Sequence, residues 1–227
     1  WRAGGWHLVG ERWGVLGSSR LTALSARNDD YANAARPFDA TRDGFVIGEG
    51  AAILILESWD HAVSRGATIL AEIVGFGSTA DAFRITDIHD EARGAIAAMR
   101  QAIADAGLKP EQIDYINAHG TSTGENDKCE SMAIRGAFGS AGQCPPVSSV
   151  KAVLGHLIGA AGAAELITCV LALRDQVMPP TWHYKHKDPL CDLDYIPNKP
   201  RKASLTHVLS NSFGFGGQND TLVIRRV

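Results

Sequence analysis

The chain has 227 residues, 45% of them hydrophobic and 21% charged, with a net charge of −3. That composition belongs to a globular protein of one or two domains, and the mild acidity without any dense basic run excludes a nucleic-acid-binding surface. Four cysteines, Cys129, Cys144, Cys169 and Cys191, show no paired-motif spacing. A secreted disulfide framework is therefore excluded, and reduced thiols in a cytoplasm-like compartment are expected. The first residue is Trp1, and no charged segment leads into an apolar one, so no signal peptide is read. The expectation is a chain whose true start lies upstream, which leaves an organellar address open.

In chain order, residues 1–20 carry three Trp and five Gly in their first seventeen positions and fit neither period, so a loop-rich start is expected. Residues 21–43 are polar, with a loop at Arg36-Pro37-Phe38-Asp39. After glycines at 44, 48 and 50, the apolar run 51–57 reads as a strand buried on both faces. Ser58 is a fair N-cap for a short helix ending at Gly66. A strand is expected over 68–77 and an amphipathic helix over 91–106, closed by Gly107. A short strand over 113–117 leads into the polar loop 118–123, and a helix follows over 126–138. A strand over 147–149 precedes a long apolar helix to about Arg174. A Pro/Asp/Lys-rich connection covers 179–200. Strands over 205–210 and 221–226 flank Asn211 to Asn219. Alternating strands and helices predict an α/β layered fold. Three polar or glycine-rich segments follow strands at their C-terminal ends, where open α/β sheets place their chemistry.

The organising stretch is 147–173. From Ala152 to Leu173 the ionisable side chains are His156 and Glu165, apart from the Cys169 thiol. Such a run is long enough to span a bilayer. A Glu near its middle costs about 3 kcal/mol in lipid, and its first half is Gly/Ala-rich. The reading is therefore a helix buried on all sides in a protein core, with no membrane segment. His156 in its first turn and Lys151 just upstream would point at one place. His119, in the loop after the 113–117 strand, is the third candidate. Each alone reads as an ordinary loop or core residue. Two imidazoles and an ammonium at neighbouring strand exits make a site that donates hydrogen bonds to developing negative charge. Phe213-Gly214-Phe215 with the next two glycines is either a tight hairpin turn or a movable gate over an apolar pocket. It lacks the spacing of a nucleotide loop. His183, His186 and Cys191 match no standard zinc pattern.

These motifs resemble the β-ketoacyl-[acyl carrier protein] synthases of the elongating type, condensing enzymes with the thiolase fold. The matching text is Asn117-Ala118-His119-Gly120-Thr121-Ser122-Thr123, Ser148-Ser149-Val150-Lys151 with Gly155-His156 to Gly162, and Asn211 to Gly217. Upstream, Arg36 to Asp39 and Arg42 to Gly50 match as well. The resemblance covers roughly residues 21–227. It implies a layered α-β-α-β-α fold, with 1–66 a remnant of the N-terminal half and 67–227 the C-terminal half.

It also implies that His119 and His156 bind the malonyl thioester carbonyl, favour loss of carbon dioxide and stabilise the enolate. Lys151 would hold the charge balance and order His156 or Glu165. Thr121 and Thr123 would contact the phosphopantetheine arm, which arrives on the acyl carrier protein, so no cofactor of the chain's own is implied. Phe213 matches the gating phenylalanine, and Glu165 and Asn211 would support the site. A structural cation is implied near Asn117, Glu165, Ser210 and Asn211. Partners would be acyl carrier protein, malonyl and acyl thioesters, and a second copy in the parent homodimer. One departure stands out: no cysteine lies in the small-residue elbow of the family nucleophile, whose place by spacing falls before Trp1. Condensation by this chain alone is therefore not expected. Alternative readings are a non-condensing partner of the chain-length-factor kind, a portion of a polyketide ketosynthase, and residual malonyl decarboxylation without acyl transfer.

Overall fold

The structure is a computed structural model that describes residues 1–7, 12–84 and 88–227. Strand β1 (Arg2–His7) and helix α1 (Arg12–Arg20) precede β2 (Gly50–Ile55) and α2 (Trp59–Ser64). Then come β3 (Glu72–Ala80), α3 (Arg93–Asp105), β4 (Tyr115–Asn117), α4 (Gly124–Phe138) and β5 (Val147–Ser148). The chain ends with α5 (Lys151–Leu154), α6 (Ala161–Asp175), β6 (Val177–Met178), β7 (Arg201–Lys202), β8 (His207–Gly214) and β9 (Gln218–Arg225).

The main sheet has the order β3-β9-β8-β4-β5. β3, β9 and β8 pair antiparallel, while β8, β4 and β5 run parallel. Successive side chains on a strand point to opposite faces, and this sheet uses both. Ile116, Leu209 and Val223 join one core with Met99 of α3 and Ile134 of α4. Their neighbours Tyr115, Val208 and Ile224 join a second core with Leu166 and Leu173 of α6. The sheet is thus a middle layer between α3/α4 and α6. The parallel strands β4, β5 and β8 bring the segments after Asn117, Ser148 and Ser210 to one end, as the sequence pattern predicts.

Four expectations are corrected. Residues 2–7 are a strand rather than a loop, paired antiparallel to β2, and 12–20 form a helix; the rest of 1–20 after His7 lies outside the described residues. β1 fits there because Gly5 has no side chain: a Cβ on it would meet Gly159 O at 2.0 Å. β2 is not buried on both faces. Its exposure alternates, and Ile53 is 68% and Ile55 64% exposed, because only one face of the two-stranded β1–β2 sheet packs against α6 and its neighbours.

The long apolar helix is broken at Gly155 and His156. α5 is one turn, and Gly155 leaves it with φ +70°. His156 then forms a backbone bridge to Ile47, a 3-10 turn covers Ile158–Ala160, and only then does α6 begin. The break is imposed by docking: the His156 N–H donates to Val46 O, and the Gly48 N–H donates to His156 O. A Cβ on Gly155 would lie 2.9 Å from the Gly48 backbone, so only glycine allows that approach. Fourth, β8 and β9 run further than the sequence suggested. Asn211 to Phe213 are strand residues, and the glycines form a tight hairpin turn closed by Gly217 N–H to Gly214 O. Among the described residues no helix is long and apolar enough to cross a membrane.

Candidate active site

His119 leaves β4 as the strand ends, and its side chain sits in a loop locked by buried acceptors. Glu130, on the next helix and fully buried, accepts the N–H of His119 (2.9 Å) and of Gly120 (2.7 Å). Ser149 donates its hydroxyl to Gly120 O at 2.6 Å. Asp127 accepts the Ser122 N–H at 3.2 Å and the Phe38 N–H at 2.7 Å. These are acceptors that buried amides need, since an unpaired buried N–H costs about 1–3 kcal/mol.

The His119 and His156 rings meet edge to face with centroids 5.3 Å apart. Lys151, 3% exposed, donates from Nζ to His119 O at 2.6 Å, approaches His119 Nδ1 at 3.4 Å and pairs with buried Glu165. The three basic heads therefore converge. Lys151 makes its hydrogen bonds to His119 and Glu165, whereas His156 is oriented by backbone. An ammonium has only donors, so His119 Nδ1 accepts and its proton sits on Nε2. His156 Nδ1 accepts the Ile158 N–H at 3.1 Å, which likewise leaves its proton on Nε2.

Burial, then the Lys151 charge, then His156 push His119 well below its ordinary value. Burial first, then Lys151 and His7, push His156 down to about 3. Both imidazoles are therefore neutral N–H donors at neutral pH. Burial raises the Glu165 carboxyl while Lys151 opposes that shift.

The other expected residues divide. Thr121 and Thr123 hydroxyls lie 2.9 Å apart, and Thr123 Oγ also caps α4 by accepting the Asn126 N–H. Phe213 is 7% exposed with its ring 5.8 Å from His119. Phe215, at the turn beyond Gly214, is 55% exposed. Asn211 donates to Glu130 Oε1 at 3.2 Å and accepts from Thr221, so its side chain supports Glu130 rather than Glu165. Asn117 Nδ2 donates to Ser210 Oγ, and Asn117 Oδ1 and Glu165 Oε2 are buried without partners. Orphaned oxygens of that kind suit a hard cation, but the Asn211 side chain is committed elsewhere. His183 Nδ1 lies 2.8 Å from Ala35 O.

Burial pushes the thiols of Cys129 and Cys191 up to about 11 and Cys169 up to about 12, and raises Cys144. None of the four is poised as a thiolate nucleophile. The sequence reading missed Glu130, Asp127 and Ser149. A signal for the two acids existed: Asp127, Glu130, Ser131 and Ile134 recur at helical spacing, so the acids share the face that apolar Ile134 marks as buried.

Comparison with known proteins gives the family. Residues 70–185 match the β-ketoacyl synthase C-terminal domain and residues 3–62 its N-terminal domain. The chain is 48% identical over 225 residues to 3-oxoacyl-[acyl-carrier-protein] synthase 2 of Coxiella burnetii, covering 99% of this chain and 54% of that protein. It is 49% identical over 210 residues to the synthase 2 of Synechocystis, covering 92% and 50%.

A solved structure of a type II polyketide acyl-carrier protein in complex with its ketosynthase superposes with a TM-score of 0.96 at 38% identity, covering all of this chain and 56% of that one. A β-ketoacyl synthase from Burkholderia phymatum gives 0.94 at 43% identity, covering 100% and 54%. A ketosynthase/chain length factor structure gives 0.90 at 38%, covering 100% and 54%. These neighbours are ketosynthases of the thiolase-like fold. The chain spans about half the length of the curated relatives it matches, and across that span it belongs to the β-ketoacyl synthase family.

Proposed function

We propose that this chain carries the decarboxylating part of a β-ketoacyl-[acyl carrier protein] synthase of fatty acid elongation, with 1–66 from the N-terminal half-fold and 67–227 forming the C-terminal half. The observation that supports it is the pair of neutral imidazoles, each with Nδ1 occupied and Nε2–H free to donate. A malonyl thioester carbonyl placed between them accepts both N–H groups. The bond from the malonyl methylene to its carboxylate breaks, carbon dioxide leaves, and the electron pair passes through the methylene to the thioester oxygen. That oxygen becomes an enolate, so the two donors bind it more strongly than the ground state and lower the barrier.

Neutral imidazoles suit this step because a cationic one could protonate the enolate carbon and end the reaction. Lys151 orders His119, and burial followed by the Lys151 charge keeps that imidazole unprotonated. Thr121 and Thr123 are placed for the phosphopantetheine arm, and acyl carrier protein is the carrier. The carbon–carbon bond then requires an acyl thioester held on a cysteine, and the four thiols here, three buried and Cys144 half-buried, do not suit that role.

The test is carbon dioxide release from malonyl-pantetheine by the full chain and by His119→Gln. Removing one such donor lowers kcat about 100-fold or more. Release unaffected by the substitution overturns the proposal. A chain-length-factor-like role gains weight if the wild-type chain releases none and instead copurifies tightly with a complete synthase.

A further inference from the structure

Arg42 lies outside the imidazole pair, in the loop before β2, with its side chain 6% exposed. Nε donates to Thr123 O at 3.0 Å and Nη2 donates to Gly124 O at 3.0 Å. Nη1 donates to Asp39 O at 3.0 Å and to the Asp188 carboxylate at 2.5 Å, and the Asp127 carboxylate is 3.8 Å from Nε. A guanidinium set against the first turn of α4 meets the positive end of that helix, which the dipole alone disfavours. Asp127 and Asp188 offset that charge. What the fork then adds is geometry: two adjacent carbonyls are held by one rigid plane, a task a lysine ammonium cannot perform.

The residue held this way is the α4 cap, Thr123, whose hydroxyl lies 2.9 Å from that of Thr121. The same strap is pinned by Ser122, whose hydroxyl accepts the Arg36 N–H at 3.0 Å and whose carbonyl accepts the Gly44 N–H at 3.0 Å. Ser122 also sits at φ +70°, a conformation held by its surroundings rather than preferred by the residue. Arg42 is the member of this loop that grips the strap at the two residues beyond it.

We propose that Arg42 is a positioning residue for the carrier arm: it fixes the Thr121–Thr123 hydroxyl pair through the Thr123 and Gly124 carbonyls without touching the arm itself. This rests on the reading of the site given above. His119 is held separately, by Glu130 and Lys151, so the two parts of the site can be perturbed apart.

The test compares the full chain with Arg42→Lys, which keeps the charge and loses the fork. The expected result is a KM for malonyl-pantetheine raised about tenfold with kcat within about twofold, the pattern of lost binding rather than lost transition-state stabilisation. Amide hydrogen exchange at 122–124 should quicken while that at His119 and Gly120 stays protected. An unchanged KM, or a loss in kcat that tracks a smaller folded fraction, overturns the inference. If the wild-type chain releases no carbon dioxide, the decarboxylation reading falls, and exchange alone then decides: uniform quickening from 119 to 124 overturns the positioning role, and quickening confined to 122–124 supports it.

Discussion

Between His119 and Gly124 most backbone polar groups have a buried or half-buried partner, and those partners come from several separate elements: Glu130, Lys151, Ser149, Asp127, Gly44 and Arg42. Along β2 the backbone groups are met instead by one partner strand, β1, and every second side chain faces solvent. The strap carries almost no apolar surface yet is over-determined, whereas the two-stranded β1–β2 sheet carries much apolar surface and covers only one side of it. Local stability follows how many independent constraints converge on a segment more than its hydrophobicity. Position of a catalytic side chain is likewise set by the polar shell beneath it.

Glu130→Ala is the change that strains this contrast most. It strands the His119 and Gly120 amides and the Asn211 side-chain amide in a dry interior. The expected loss of stability is about 3–5 kcal/mol, as for removal of one member of a buried polar network. The shift in the urea unfolding midpoint measures it. A loss under about 1 kcal/mol would show that the strap is held by other contacts.

The second effect is in pH dependence. His156 titrates near 3 when folded and at the ordinary histidine value when unfolded. Between those values the unfolded chain holds a proton that the folded chain does not. The stability tied to His156 is therefore fully present above the ordinary value and is lost as pH falls towards 3. Its contribution to the slope approaches 1.4 kcal/mol per pH unit in that window. In His156→Gln the stability profile from pH 6.5 to 4 should flatten by that amount relative to wild type, and parallel profiles would refute the burial and charge argument. Glu130, pushed up to about 7 by burial, acts in the opposite sense over its own window. The comparison therefore has to be made between the two proteins rather than on wild type alone.

How much of this was readable beforehand depended on whether a constraint was local. His119 was legible because a short apolar strand ending in Gly/Thr/Ser text at a sheet's C-terminal edge is a local pattern. So were Lys151 and the Gly107 stop of α3. His156 was correctly singled out but put in a helix it does not occupy. Gly155 read as one more small residue among alanines, and its positive φ follows from Gly48, more than a hundred residues away in sequence. The strand at 2–7 was lost for the same reason: Gly4 and Gly5 weaken any strand pattern, and the pairing with β2 and the approach of Gly159 restore it. Glu130 was passed over as one polar residue on a helix: its spacing from Ile134 marks the buried face, but the backbone amides it serves are named by no sequence pattern.

The smallest expected effect lies on the open face of β2. Ile53 is 68% exposed, so most of the stabilisation of about 1.5–3 kcal/mol that full burial would bring is not realised there. Threonine keeps the branched Cβ that favours a strand. Ile53→Thr should therefore change stability by no more than about 0.5 kcal/mol. Leu54→Thr, one residue on and packed against the α6 core, should cost several times as much, about 2 kcal/mol, because it removes buried volume and inserts a hydroxyl. Thermal unfolding of the two variants side by side measures the ratio. Equal losses would mean that both faces of β2 are covered in solution, and the β1–β2 sheet would then be as constrained as the strap it is set against.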